Sequence, residues 1–97
     1  MKMLLSPEET PNFAMRNFVI AAGGSMPLHT NTVEHEQFVL SGRAKVLLGD
    51  KTIEAAAGDV LLIPAGVPHS YETLGDADYS FLCLVPKAAD CIVVLAD

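Results

Sequence analysis

The chain has 97 residues, of which 51% are hydrophobic and 19% charged, and its net charge at pH 7 is −6. That length makes one domain, near the lower end of the usual range, for which a second subunit is a natural source of extra core. The acidic balance excludes nucleic acid and anionic membrane surfaces as partners, because six Lys and Arg cannot neutralise a row of phosphates; its expected role is to keep the protein soluble.

In chain order, Met1-Lys2-Met3-Leu4-Leu5 is cut short by Ser6-Pro7-Glu8-Glu9, too early for a signal peptide. No apolar run approaches the ~20 residues that span a bilayer, so a cytoplasmic protein is expected. Residues 1–12 read as an irregular arm. No helix-period segment of useful length follows. Instead, short β-rich runs separated by Gly, Pro and Asp predict an all-β sandwich or barrel. The expected strands are Phe13–Ala21, His29–Thr32, Glu34–Ser41, Ala44–Leu48, Lys51–Ala55, Val60–Ile63, His69–Thr73, Asp78–Val85 and Cys91–Leu95. Gly23-Gly24, Ser41-Gly42, Gly49-Asp50 and Gly58-Asp59 mark turns, Gly49-Asp50 as a tight hairpin. Pro64-Ala65-Gly66-Val67-Pro68 is a rigid loop, with φ set by two prolines and freed at the glycine. Phe13–Ala21 and Cys91–Leu95 lie outside the central segments and are expected to find edge partners, such as a neighbouring subunit's sheet. Cys83 and Cys91 lack CxxC spacing and read as small buried apolar residues rather than a disulfide.

Two blocks carry the chemistry. The first is Gly23-x5-His29-x-Asn31-x3-His35-x6-Gly42 and the second is Gly58-x5-Pro64-x-Gly66-x2-His69. Side chains on a strand alternate faces. His29 therefore shares a face with Asn31, His35 with Gln37, and His69 with Tyr71 and Thr73. All three histidines of the chain fall in these blocks. Neutral imidazole is the commonest protein ligand for first-row metals, and three imidazoles leave positions open for water or substrate. His29, His35 and His69 are thus expected to hold a divalent transition metal: manganese, iron, nickel, copper or zinc. Asn31 offers an amide oxygen, either as a further ligand or as a polar group of the pocket. Gln37, Tyr71 and Thr73 are the expected pocket residues and partners for the outer ring nitrogens. Glu36, one residue on, is the alternative to His35 on that strand, but parity sets it on the opposite face. Met15 and Met26 are candidates for the pocket's edge. No G-x-S-x-G and no phosphate-cradling loop is present.

The paired blocks resemble the two motifs of the cupin superfamily, G-x5-H-x-H-x3–4-E-x6-G and G-x5-P-x-G-x2-H-x3-N. Asn31 stands at the second His, His35 at the Glu and Thr73 at the Asn of those motifs. The stretch from His29 to Gly42, with His35-Glu36-Gln37-Phe38-Val39-Leu40-Ser41-Gly42, is similar to that of small single-domain cupins with an all-histidine site. Phe81-Leu82-Cys83-Leu84-Val85-Pro86-Lys87 resembles their last strand. The resemblance covers residues 18–87. It implies a single-domain double-stranded β-helix, or jelly-roll barrel, commonly a homodimer with exchanged N-terminal strands. It further implies a manganese or iron centre, and Cys83 turned toward the pocket, although Cys83 alone also reads as a core thiol. Phe38, Val39, Leu40, Phe81 and Leu82 are expected to pack the barrel.

Three functional expectations follow. The first is a metal-dependent, dioxygenase-like enzyme acting on a small organic substrate, with a site whose lack of a carboxylate ligand suits an anionic or enolisable molecule. The second is a Lewis-acid isomerase or lyase, for which Tyr71 and Glu34 are the only evident bases. The third is a barrel that binds a sugar or organic acid, with the metal site degenerate.

Overall fold

The computed structural model describes residues 1–87 and 92–95. Ten strands form two five-stranded sheets, and every pairing is antiparallel. They are β1 (Lys2–Leu5), β2 (Phe13–Ile20), β3 (Ser25–Asn31), β4 (His35–Ser41), β5 (Arg43–Leu48), β6 (Lys51–Ala56), β7 (Val60–Ile63), β8 (His69–Leu74), β9 (Tyr79–Pro86) and β10 (Ile92–Val94). One sheet has the order β1-β2-β9-β4-β7 and the other β10-β3-β8-β5-β6. The chain passes back and forth between them, so that the sheets face each other as a double-stranded β-helix. No helix among the described residues is long and apolar enough to cross a membrane.

Alternation builds the core. Val39, Ala44, Val46, Ala55, Ile63, Tyr71, Tyr79, Phe81 and Cys83 all point between the sheets and are almost wholly buried. Period-two patterning sends every second residue of β4, β7, β8 and β9 to that interior. Phe38, Leu40 and Leu82, expected as barrel packing, take the opposite parity. Phe38 and Leu40 are exposed on the outer face, while Leu82 beside them is half-buried.

The predicted turns organise the strands. Gly49-Asp50 joins Leu48 to its partner Lys51. At Gly42, φ is +80° and an added Cβ would overlap the Asp78 carbonyl, so only glycine fits there. The Pro64–Pro68 loop is pinned to β3 by a 2.8 Å hydrogen bond from the Gly66 amide to the Asn31 carbonyl.

The ends differ from expectation. Residues 2–5 are not irregular: β1 pairs with the edge of β2, with Lys2 opposite Asn17 and Met3 opposite Arg16. Its extended form comes from that edge, which a five-residue apolar run does not reveal. The irregular stretch is confined to residues 6–12, where Glu9 accepts hydrogen bonds from the Ser6 amide and hydroxyl. β2 lies inside its sheet, paired with β9 along its whole length, and the barrel therefore starts before residue 18. β3 begins four residues earlier than predicted. Its pairing with β8 shifts register between Met26 and His29, around Pro27, which has no amide to donate. Residues 92–94 of the predicted last strand pair with β3 of the same chain; Cys91 lies outside the described residues.

Candidate functional site

Forty residues apart in sequence, His29 and His69 are direct cross-strand partners on β3 and β8. Their ring centres stand 4.1 Å apart. His35 reaches toward them from β4 in the facing sheet, its ring centre 6.5 Å from that of His69. All three are buried, as are Asn31 and Gln37. They line a cavity of about 230 Å³ between the sheets, together with Arg16, Phe18, Met26, Tyr71, Phe81, Cys83 and Val94. A larger open groove of about 650 Å³, bordered by Lys45, Thr52 and Glu72, contains no histidine.

The outer ring nitrogens are held mostly by backbone. Nδ1 of His29 lies 2.7 Å from the Pro27 carbonyl, and Nδ1 of His69 lies 2.9 Å from the Val67 carbonyl. A carbonyl only accepts, so in both rings Nδ1 carries a proton, and the neutral form of each ring keeps its lone pair on Nε2. Each carbonyl sits two residues before its histidine. The strand entry, made rigid by Pro27 and Pro68, therefore sets the tautomer, and the side chains expected for this task do not. His35 differs: its Nδ1 is 3.4 Å from the Cys83 thiol. Burial pushes the His69 imidazole below its ordinary range, and the His29 and His35 rings push the same way against the Val67 hydrogen bond. A neutral imidazole is the form a metal requires.

The donor chemistry thus suits a divalent ion, but the geometry is not closed around one. Imidazoles sharing an ion at nitrogen–metal distances of about 2.1 Å hold their ring centres roughly 5 Å apart. The separations of 4.1 and 6.5 Å fall on either side, and no group of three or more His, Cys, Asp or Glu converges on a common point among the described residues. Rotation of the rings about their side-chain bonds is the motion that would bring them together.

Tyr71 and Gln37 bridge the sheets, with Gln37 Nε2 donating to the Tyr71 hydroxyl at 2.7 Å. Burial holds the Tyr71 phenol protonated far above its usual range, with the Gln37 bond acting the other way. That removes Tyr71 as a base at neutral pH and leaves it as a donor. Glu34, the other candidate base, is not at the cavity. Cys83 does face the cavity. Burial raises its thiol, against the pull of Arg16, and the group stays neutral. Asn31 lines the cavity as well. Thr73 does not: its hydroxyl donates to the Ile20 carbonyl at 3.2 Å and ties β8 to β2. Glu36 points to the outer face, beside Met15, Phe38 and Leu84, as parity required. Met26 edges the cavity and Met15 does not.

Arg16 and Phe18 escaped the sequence reading. They enter on β2, directly opposite Cys83 and Phe81 of β9. Their strand has apolar residues on both faces, so no pattern marks which side is inward.

A family model described as cupin domain matches residues 16–85. An uncharacterised protein of Methanocaldococcus jannaschii is 30% identical over 66 residues, 67% of this chain and 53% of that protein; the chain spans about half the length of this curated relative. The polyketide cyclase RemF from Streptomyces resistomycificus superposes with a TM-score of 0.86 at 29% identity, over 96% of this chain and 68% of the cyclase. The DMSP lyase DddQ from Ruegeria pomeroyi superposes with a TM-score of 0.74 at 27% identity, over 84% of this chain and 43% of the lyase. Paired sheets, a histidine-lined cavity between them and a family model spanning most of the strands lead to one assignment: the chain belongs to the cupin superfamily.

Proposed function

We propose that this protein is a metal-dependent cupin enzyme of oxygenase type that acts on a small organic molecule in the cavity between its sheets. The observation that carries the reading is the histidine set. Three buried imidazoles from three strands line one small cavity, and two of them are fixed with Nε2 available for a ligand bond. His29, His35 and His69 would hold the ion, with the Asn31 amide oxygen beside them. A divalent iron or manganese ion there supplies Lewis-acid charge and electron transfer. The chain's own groups do the rest. Phe18, Phe81 and Tyr71 form an aromatic wall that excludes water, with ring centres 5.3 and 5.4 Å apart. The Tyr71 hydroxyl accepts a hydrogen bond from Gln37 Nε2 and would donate its own proton in a hydrogen bond to a molecule in the cavity.

A Lewis-acid lyase or isomerase is the second reading. A cyclase and a lyase stand among the similar structures, and a Tyr71 phenol that burial keeps protonated is suited to donating a hydrogen bond to a developing oxyanion. The setting is the cytoplasm, where the buried Cys83 thiol stays reduced, and the working form is a homodimer.

Elemental analysis of tag-free protein, with His69→Ala prepared in parallel, tests the metal. The wild type is expected to carry near-stoichiometric metal. The variant should bind it at least about tenfold more weakly, since loss of a supporting partner alone costs that much. No metal after anaerobic reconstitution with Fe(II) and Mn(II) would overturn the enzyme readings in favour of a binding barrel. If metal is retained, oxygen consumption separates the first reading from the second.

A further inference from the structure

Among the described residues Arg16 has no counterion. Its side chain is half-buried and its Nε is enclosed with no hydrogen-bond partner. One terminal nitrogen, Nη2, lies 3.7 Å from the neutral Cys83 thiol, a weak acceptor, and the guanidinium carbon sits 5.2 Å from the centre of the Phe18 ring. Among the described residues no carboxylate pairs with it. Among the described residues no Asp or Glu lines the cavity that it borders, and Arg16 is the only Lys or Arg there. A partly desolvated charge in this position is costly unless something compensates it. The ring face supplies part of the compensation. The remainder calls for an anion, and the histidines, the amides and a protonated phenol provide none.

The register shows where that anion would sit. Arg16, Cys83 and Gln37 form one row across β2, β9 and β4, each directly opposite the next. Phe18, Phe81 and Val39 form the adjacent row. His29 and His69 come from the facing sheet. A molecule in the cavity therefore meets the guanidinium at one end, flat aromatic faces along its side and imidazoles opposite. Guanidinium presents a planar fork of donors that matches a carboxylate in two parallel hydrogen bonds.

We infer that Arg16 is the specificity-determining residue of this cavity and that the substrate is a small planar carboxylic acid, bound as its carboxylate. The inference deepens the preceding reading and rests on its use of this cavity as the substrate site. It does not require that the metal be present.

The test uses metal-free protein, stripped by a chelator, at pH 8. Sodium benzoate and the uncharged benzamide are titrated separately and followed by NMR shifts of the cavity residues. Benzoate is expected to bind the wild type at least about tenfold more tightly than benzamide, the discrimination a charge-assisted pair provides. Arg16→Met should abolish that preference while still binding benzamide, which reports an intact pocket. Arg16→Lys, with its charge but no fork, should retain part of it. Equal binding of the two probes by the wild type, no benzoate binding at millimolar concentration, or a preference that survives Arg16→Met each overturns the assignment. Metal content, measured separately on the same variants, keeps this result distinct from the metal reading. Arg16→Met is expected to load metal normally, because Arg16 is not among the donors.

Discussion

Tyr79 shows how a single buried atom sets a measurable property. Its side chain is wholly enclosed beneath the aromatic wall, and its hydroxyl has no hydrogen-bond partner among the described residues. Burial, with the Asp59 carboxylate adding to it, pushes the phenol up to about 12. An unfolded tyrosine ionises near 10, so the unfolded chain loses its proton first as pH rises. This group's contribution to stability is fully present below about pH 10 and is lost as pH climbs through about 12. Tyr79→Phe removes both the stranded hydroxyl and the titration. It should raise stability at pH 7 by about 1 kcal/mol and flatten the fall in melting temperature between pH 9 and 11, as thermal melts at the two pH values would show. At this same scale the histidines were legible, because strand parity needs only their spacing. Arg16 was not. Both faces of Phe13–Ile20 carry apolar residues, Ala14, Phe18 and Ile20 inward and Phe13, Met15 and Val19 outward. Periodicity therefore gives no direction there.

Glycines and prolines decide where the elements begin and end. Gly42 closes the turn between β4 and β5 against the Asp78 carbonyl with φ at +80°. Gly42→Ala must strain the backbone and displace the β9 entry together. It should cost at least about 2 kcal/mol, and a denaturant titration would show it as a lowered midpoint with an unchanged slope. Gly66→Ala is a useful contrast. Its φ is +78° but open space surrounds the missing Cβ, so the backbone strain acts alone and the loss should be smaller. Most strands were readable to within a residue or two, since turn residues bound them. β1 and the first half of β3 were not. One is made a strand by the edge it joins, and the other continues through Pro27 by a shift in register.

At the scale of the whole molecule, the outer face of the β1-β2-β9-β4-β7 sheet has no partner among the described residues. Val60 is 72% exposed, Leu62 55%, Val19 54%, Leu40 45% and Phe38 44%, with Leu82, Leu84 and Met15 half-buried between them. Contiguous apolar surface of this kind marks an association site, and a 97-residue domain has much to gain from covering it. The homodimer proposed above would use this face, with the cavity on the opposite side of the sheet. Light scattering is expected to give twice the chain mass. Val60→Lys with Leu62→Lys should yield a folded monomer. A monomeric wild type at micromolar concentration would rule this interface out.

Spacing and alternation alone determined the all-β class, the turn positions, the three histidines and the face each one takes. These are local properties, set by the pleat of a strand and by the φ that Gly and Pro allow. Only the tertiary structure decided what those faces meet. It set His29 beside His69 through strand pairing, replaced the expected side-chain partners of the rings with the carbonyls of Pro27 and Val67, and withdrew Thr73 from the pocket. It also brought Arg16 into a cavity that the motifs do not mention. Register between distant strands depends on the fit of whole sheets, and no short segment carries that information by itself.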